Sequence, residues 1–172
     1  EDPDEHIRTW AIRLLTDAWP IDSLFGPRKN LLPKGDPKLE KKFVQLAKSD
    51  PSGLVRLALA STLQRLPVSS RGELARALAG RAEDAKDHNL PGMVWYGITP
   101  MAESDPAALV GVARATEWTN LRQWIARSLT DQAKERPEGL QVLLSLMMEQ
   151  PSKSDSLLIG MEEAFRGIKK VE

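Results

Sequence analysis

Apolar residues recur along almost the whole chain at the spacing of an α-helix. Between residues 55 and 66 one helix face carries Val55, Leu59, Leu63 and Leu66, with Ala58 and Ala60 beside them. No segment alternates apolar and polar residues over four or more positions between turn residues, so we expect no β-sheet. The pattern therefore predicts an all-α protein.

Proline and capping residues divide this pattern into nine predicted helices. Asp36-Pro37, Asp50-Pro51 and Asp105-Pro106 each offer a capping carboxylate followed by a proline suited to the first helical turn. Pro100 should kink or split the helix that contains it. The predicted helices span residues 4–17, 37–48, 52–66, 70–84, 91–103, 105–116, 119–134, 137–149 and 154–168.

One short string occurs twice with identical spacing. Asp2, Pro3, Ile7 and Arg8 are matched by Asp50, Pro51, Val55 and Arg56. A third copy over 121–129 keeps the arginine as Arg122 but has Thr116 in place of the aspartate, a copy over 157–165 lacks the arginine, and 93–97 is a looser copy. The copies begin near residues 7, 55, 93, 121 and 157, on average about 38 residues apart.

This period, with two helices in each unit, is typical of HEAT-type and armadillo-type solenoids. We predict an all-α, HEAT-like α-α superhelix of about four to five helical hairpins, forming a single domain over residues 1–172. The Asp-Pro-x-x-x-Val-Arg string resembles the second helix of a HEAT repeat. That resemblance implies a ladder of hydrogen bonds between successive repeats, and the matching residues are Asp2, Arg8, Asp50, Arg56 and Arg122.

Residues 18–35 interrupt the helical period. This predicted insertion contains three prolines, mixes aromatic with basic side chains, and is longer than the usual connection between helices. We expect it either to pack over an end of the solenoid or to contact a partner. Arg28 and Lys29 are its candidate partner-binding residues.

Tryptophan supplies five of the nine aromatic residues. Trp10 and Trp124 occupy the position of Ala58 in the repeat, so we expect both inside the stack. Trp95 and Tyr96 are consecutive on a helix and point in different directions, so one can face a groove. With Trp118, they are the candidate partner-binding aromatics; the alternative role for each is core packing.

Composition narrows the possible functions. Lysines plus arginines equal aspartates plus glutamates at 24 each, which argues against a strong electrostatic field for nucleic acid. The chain has no cysteine, only two histidines, no run of about 18 apolar residues and no recognisable catalytic motif. We therefore predict no catalytic residue, no cofactor, no metal site and no membrane insertion.

Three segments carry a wider resemblance: AIRLLTDAWPIDSL, DPSGLVRLALASTLQRLP and EDAKDHNLPGMVWYGITPM. Together they resemble the HEAT-repeat region of the multidomain putative membrane-bound dehydrogenases with c-type haem-binding domains of the planctomycete–verrucomicrobial group. The resemblance implies a scaffold segment of an exported dehydrogenase-cytochrome, in an extracytoplasmic (periplasmic) location. The chain carries no signal peptide and begins without methionine, so we expect a processed chain or part of a longer protein.

Two functions follow as hypotheses. The first is a non-catalytic scaffold or protein-interaction module that contacts other domains of its parent protein or a protein partner, binds no nucleic acid, and is a monomer or a weak self-associate. A variant of it binds a peptide near Trp95, Tyr96 and Arg122. The alternative is a HEAT-like nucleic-acid-binding protein or DNA glycosylase, for which the tryptophans are the support.

Overall fold

The computed structural model describes residues 2–21 and 36–166. All regular structure within these residues is helical, as predicted, and short 3₁₀ turns join several of the helices. The α-helices are α1 (Glu5–Thr16), α2 (Pro37–Ser49), α3 (Gly53–Thr62), α4 (Arg71–Ala79), α5 (Leu90–Ile98), α6 (Met101–Ser104), α7 (Pro106–Ala115), α8 (Thr119–Asp131), α9 (Pro137–Glu149) and α10 (Ser154–Phe165). Most of the predicted insertion, including Arg28 and Lys29, lies outside the described residues.

Two of the three predicted aspartate caps are present. The carboxylate of Asp36 accepts from the N–H of Lys38 at the start of α2, and Asp105 caps α7 in the same way. The prediction for α3 was wrong, because Ser52 rather than Asp50 caps that helix. Asp50 instead accepts the Ser52 N–H at 2.9 Å, which leaves most of its carboxylate available to another group.

Pro100 splits a helix, as predicted. α5 ends at Ile98 and α6 begins at Met101, directly after the proline. Proline has no N–H to continue the hydrogen-bond series, and its ring crowds the preceding turn. After the break, α6 packs against α7.

The helices pack in two rows. In the first row each helix packs on the next one along the chain, in the order α1, α3, α5, α8 and α10. In the second row, α2, α4, α7 and α9 pack on one another in the same successive way. Pairs consecutive in sequence join the rows: α2 packs on α3, α4 on α5, and α7 on α8. Buried aliphatic side chains from both rows form one continuous hydrophobic cluster.

Two glycines allow close approach within the first row. A Cβ on Gly160 of α10 would overlap the carbonyl group of Gln123 in α8, with the carbonyl carbon only 2.9 Å away. A Cβ on Gly97 of α5 would overlap Leu63, which follows α3. Glycine is therefore required sterically where these helices meet. No helix in the described part of the chain is long and apolar enough to cross a membrane.

Candidate functional site

A ladder of arginines connects the helices of the first row. Arg8 of α1 donates from Nε and Nη2 to the two carboxylate oxygens of Asp50, at 2.8 and 2.9 Å. Its Nη1 donates to the carbonyl oxygen of Asp2, six residues earlier, at 2.8 Å. One guanidinium thus holds the start of its own helix and reaches the start of the next helix in the row.

The second arginine repeats this geometry. Arg56 of α3 donates from Nη2 to Asp84 Oδ1 at 2.6 Å and from Nε to the other carboxylate oxygen. Its Nη1 donates to the carbonyl oxygen of Asp50 at 2.9 Å, again six residues earlier. Sequence reasoning missed Asp84, because it lies in a 3₁₀ turn before α5 and Leu90, not an arginine, follows it at the repeat spacing.

The third arginine has a neutral acceptor. Arg122 of α8 donates from Nε to the hydroxyl of Ser156 in α10 at 2.7 Å, and from Nη1 to the carbonyl oxygen of Thr116 at 2.7 Å. The exposed carboxylate of Glu117 lies 3.6 Å away and also pairs with Lys153. The contact to the residue six positions earlier survives the replacement of aspartate by threonine because it uses the backbone.

The arginines control the ionisation of their partners. Burial raises the pKa of Asp50, but hydrogen bonds from Arg8 and from the Ser52 N–H, with the charges of Arg8 and Arg56, outweigh it and hold that pKa below its ordinary value. The hydrogen bond to Asp84 raises the pKa of Arg56 further, against its own desolvation. Both groups are therefore charged in the fold at neutral pH.

A further buried arginine connects α4 with α5 and with the segment that follows α3. Arg71 of α4 is completely buried, and it donates from Nε and Nη2 to the carbonyl oxygen of Leu66 at 2.9 and 2.8 Å. Its Nη1 donates to the carbonyl oxygen of Gly97 in α5 at 2.8 Å. Sequence reasoning missed this residue, because an arginine in the first turn of an amphipathic helix normally indicates a solvated position.

An open groove of about 260 Å³ lies on the first row between α5 and α8. Its walls are Trp95, Trp124, Arg127, Ser128 and Asp131. The two indole rings are tilted by 41° with their centroids 6.2 Å apart, so they form one continuous aromatic surface. Arg127 lies 3.9 Å from Asp131 and 4.0 Å from Glu163, and its side chain is 56% exposed, so it remains accessible.

Some of the predicted partner-binding residues are accessible to a ligand and others are buried. Trp95 lines the groove, and Tyr96 beside it is 50% exposed. The prediction for Trp118 was wrong: it is fully buried, and its Nε1 donates to the carbonyl oxygen of Arg81 at 2.8 Å. Arg122 is buried in the ladder and is not available to a peptide in the groove.

The expectation for Trp10 was also wrong. Trp10 lies outside the stack and is 58% exposed, with the Arg13 guanidinium 5.6 Å from its ring centroid. Trp124 is partly buried, as its place in the groove requires. The repeat predicts equivalent backbone positions, but α1 packs on α3 through its other face, and no described helix lies against the face that carries Trp10.

Within residues 2–21 and 36–166, no three histidine, aspartate or glutamate side chains converge in a way that could hold a metal ion. The groove therefore offers aromatic surface and one carboxylate–guanidinium pair. The indole rings can hold an apolar side chain or a planar ring, and the two charged groups can pair with a charged group of the same ligand. No protein-family model matches the chain, and no curated protein or solved structure matches it either, so the comparisons assign no family.

Proposed function

We propose that this chain is a HEAT-like α-solenoid that serves as a non-catalytic scaffold and protein-interaction module. The observation that carries the proposal is the repeated rung, in which an arginine of one helix donates to a residue in the first turn of the next helix in the row or in the segment before it. In this proposal α2–α3, α4–α5 and α7–α8 are helical hairpins whose two helices pack on each other, and α1, α9 and α10 extend the two rows.

The rungs restrict movement between neighbouring helices, as a rigid scaffold requires. A bidentate arginine–carboxylate pair fixes distance and orientation between neighbouring helices, whereas apolar packing alone tolerates small sliding movements. The two charged pairs are also shielded from solvent, which reduces their screening by salt. Rows held in this way would present groove residues on different helices, Trp95 and Trp124, at a constant separation.

The groove is the proposed partner site. Tryptophan, tyrosine and arginine are the residue types that most often dominate the energy of protein interfaces. Here the partly buried indoles of Trp95 and Trp124 supply a rigid apolar surface, and Arg127 and Asp131 supply one charge of each sign at its edge. A polypeptide that places an aromatic or aliphatic side chain on the indoles fits this chemistry.

The resemblance of the sequence supports a larger context. If the chain belongs to an exported dehydrogenase-cytochrome, its partners are the other domains of that protein and its location is extracytoplasmic. The contribution of the chain would then be to hold domains at a defined distance. The proposal assigns no redox or catalytic step to the described residues.

One observation favours a second candidate, a nucleic-acid-binding protein or DNA glycosylase. The groove combines two tryptophans with an arginine and an aspartate, and stacking surfaces of this kind can hold a nucleobase. The balanced charge of the chain weighs against it, because phosphate contacts require a basic surface. We therefore place this candidate second.

Site-specific photo-crosslinking in the native host tests the scaffold proposal. A photoreactive amino acid at Ser128 or Asp131, which both line the groove, should crosslink to one defined protein or to the parent polypeptide. The same amino acid at Gln141, exposed on α9 of the opposite row, is the matched control and should give no such product. Equal products from all three positions, or none from the groove, would contradict the proposal.

A gel-shift titration at low salt separates the two candidates. The scaffold proposal expects no shift of single-stranded or duplex DNA at micromolar protein concentrations. A shift that Arg127→Glu abolishes, and that weakens steeply as salt is added, would instead support the nucleic-acid candidate.

A further inference from the structure

α1 has two opposite faces with different surroundings. Thr9, Ile12 and Thr16 lie on the buried face, which packs on α3. Ile7, Trp10 and Leu14 lie on the other face and are 52%, 58% and 70% exposed. Three large apolar side chains at the i, i+3 and i+7 positions form a stripe of the kind that packs against another helix. We call this stripe the α1 face.

The repeat shows what covers the equivalent stripe elsewhere. The residues of α3 that correspond to Ile7, Trp10 and Leu14 are Val55, Ala58 and Thr62, and all three are buried. α3 lies between α1 and α5 in its row, so helices cover it on both sides. The α1 face is therefore the same surface, one step earlier in the row, without a described helix on it.

Asp2 supplies the matching polar group. Its Oδ1 accepts the N–H of Asp4 at 2.9 Å, just as Asp50 Oδ1 accepts the N–H of Ser52 at 2.9 Å. Asp50 also receives the guanidinium of Arg8 from the preceding helix in the row. No arginine or lysine within residues 2–21 and 36–166 pairs with the Asp2 carboxylate, although its local geometry is that of an acceptor in a rung.

We propose that the α1 face binds an amphipathic α-helix of a partner, and that an arginine of this helix donates to the Asp2 carboxylate. The apolar side of the bound helix packs on Ile7, Trp10 and Leu14. The inference deepens the proposed scaffold function and rests on it, because it extends the same row by one rung. The required chemistry is an arginine followed four residues later by a small or aliphatic residue, as in Arg8 with Ile12 and Arg56 with Ala60.

A second copy of this chain fits the α1 face less well. The last repeat copy, in α10, has Leu158 at the position of the rung arginine, and Leu158 and Ile159 are about half exposed. A copy docked end to end through α10 would offer Asp2 a leucine where a guanidinium is needed. The charge of Asp2 therefore points to a different helix.

The test uses the full chain and a labelled synthetic peptide with the sequence of residues 50–66, which carries Arg56 and the apolar face of α3. Fluorescence anisotropy should show saturable binding at micromolar concentrations. Asp2→Asn in the protein and Arg56→Gln in the peptide should each weaken binding at least tenfold, and the two changes together should weaken it little further. Leu14→Lys should weaken it by a similar factor.

Matched variants control for charge and for apolar surface. Asp155→Asn removes an exposed carboxylate at the opposite end of the row, and Met148→Lys changes a methionine that is 83% exposed on α9. Neither should change binding more than twofold. No saturable binding, or binding that is insensitive to Asp2, would overturn the inference. The groove crosslinks from Ser128 would remain as the separate test of the scaffold proposal.

Light scattering of the same proteins gives a further decisive outcome. The inference expects a monomer, or an association that Leu14→Lys does not alter. A dimer that Leu14→Lys dissociates and Met148→Lys does not would place a second copy on the α1 face and overturn the proposed occupant.

Discussion

The two ends of the first row hold their helices together in different ways. Between α1, α3 and α5 the rungs are bidentate ion pairs, Arg8 with Asp50 and Arg56 with Asp84. Between α8 and α10 the rung is Arg122 with a serine hydroxyl, and Gly160 lets the two backbones approach until they touch. Where the polar rung is weaker, backbone contact is closer. Charged rungs at one end thus go with a glycine that meets a side chain, Gly97 against Leu63, and the neutral rung at the other end goes with Gly160, which meets backbone.

Removal of a charged rung should produce the largest loss of stability. Arg56→Met leaves the Asp84 carboxylate buried without its counter-ion, and breaking such a pair typically costs about 3–5 kcal/mol. Urea denaturation followed by circular dichroism measures the free energy of unfolding. Arg114→Met is the control, because the Arg114–Glu149 pair is about half exposed and should contribute less than about 1 kcal/mol.

A side chain added at the close contact between α8 and α10 should cause the second-largest loss of stability. Gly160→Ala places a methyl group against the Gln123 carbonyl, so α8 and α10 must separate, at a cost of about 2–3 kcal/mol. Gly92→Ala is the matched control, since no atom lies within 4 Å of its Cβ position. That variant should gain about 0.5–1 kcal/mol from helix propensity. Equal melting temperatures for the two variants would contradict the packing argument.

The neutral rung should be less sensitive than the charged one. Arg122→Met removes the donor to the buried hydroxyl of Ser156, for which we expect a loss of about 1–3 kcal/mol. The Thr116 carbonyl also loses Arg122 but still accepts from Lys153 Nζ at 3.1 Å. Thermal unfolding of this variant beside Arg56→Met gives the comparison directly. If Arg122→Met were the more destabilising of the two, the proposed difference between the ends of the row would be wrong.

Low pH should weaken the Arg8–Asp50 rung, and this should be the smallest of the expected changes in stability. The folded pKa of Asp50 is below its ordinary value, so its pair stabilises the fold above the unfolded pKa, and this contribution is lost as pH falls through the folded pKa. Asp50→Asn should cost about 1–2 kcal/mol at pH 7, and the difference from wild type should shrink below about pH 4. A difference independent of pH would show that the carboxylate charge is not what Arg8 requires.

Sequence reasoning predicted the helices well, because their starts depend on local chemistry. The apolar period and the Asp-Pro pairs place α2 and α7 within a residue or two, and Pro100 splits its helix as proline must. The arginines of the ladder were also predicted, because each carries a local signature. Their acceptors Asp84 and Ser156 were not, because which residue faces Arg56 or Arg122 depends on how distant segments pack.

The aromatic residues show the same limit. Trp10, Trp95 and Trp118 look alike in sequence, yet Trp10 is exposed, Trp95 lines a groove and Trp118 is buried. Trp10 was placed by analogy with Ala58, and the analogy fails because no described helix packs on the face of α1 that carries Trp10. Burial depends on neighbouring helices, and a repeat pattern predicts those neighbours only for repeats inside the stack.

A double-mutant cycle on Arg56 and Asp84 tests most directly whether guanidinium rungs hold the helices in their row. Arg56→Met, Asp84→Ala and the double variant are compared with wild type by urea denaturation at pH 7. The account predicts a coupling free energy of about 2–3 kcal/mol, and a double variant that is little worse than Arg56→Met alone. Additive losses, with a coupling free energy near zero, would contradict it.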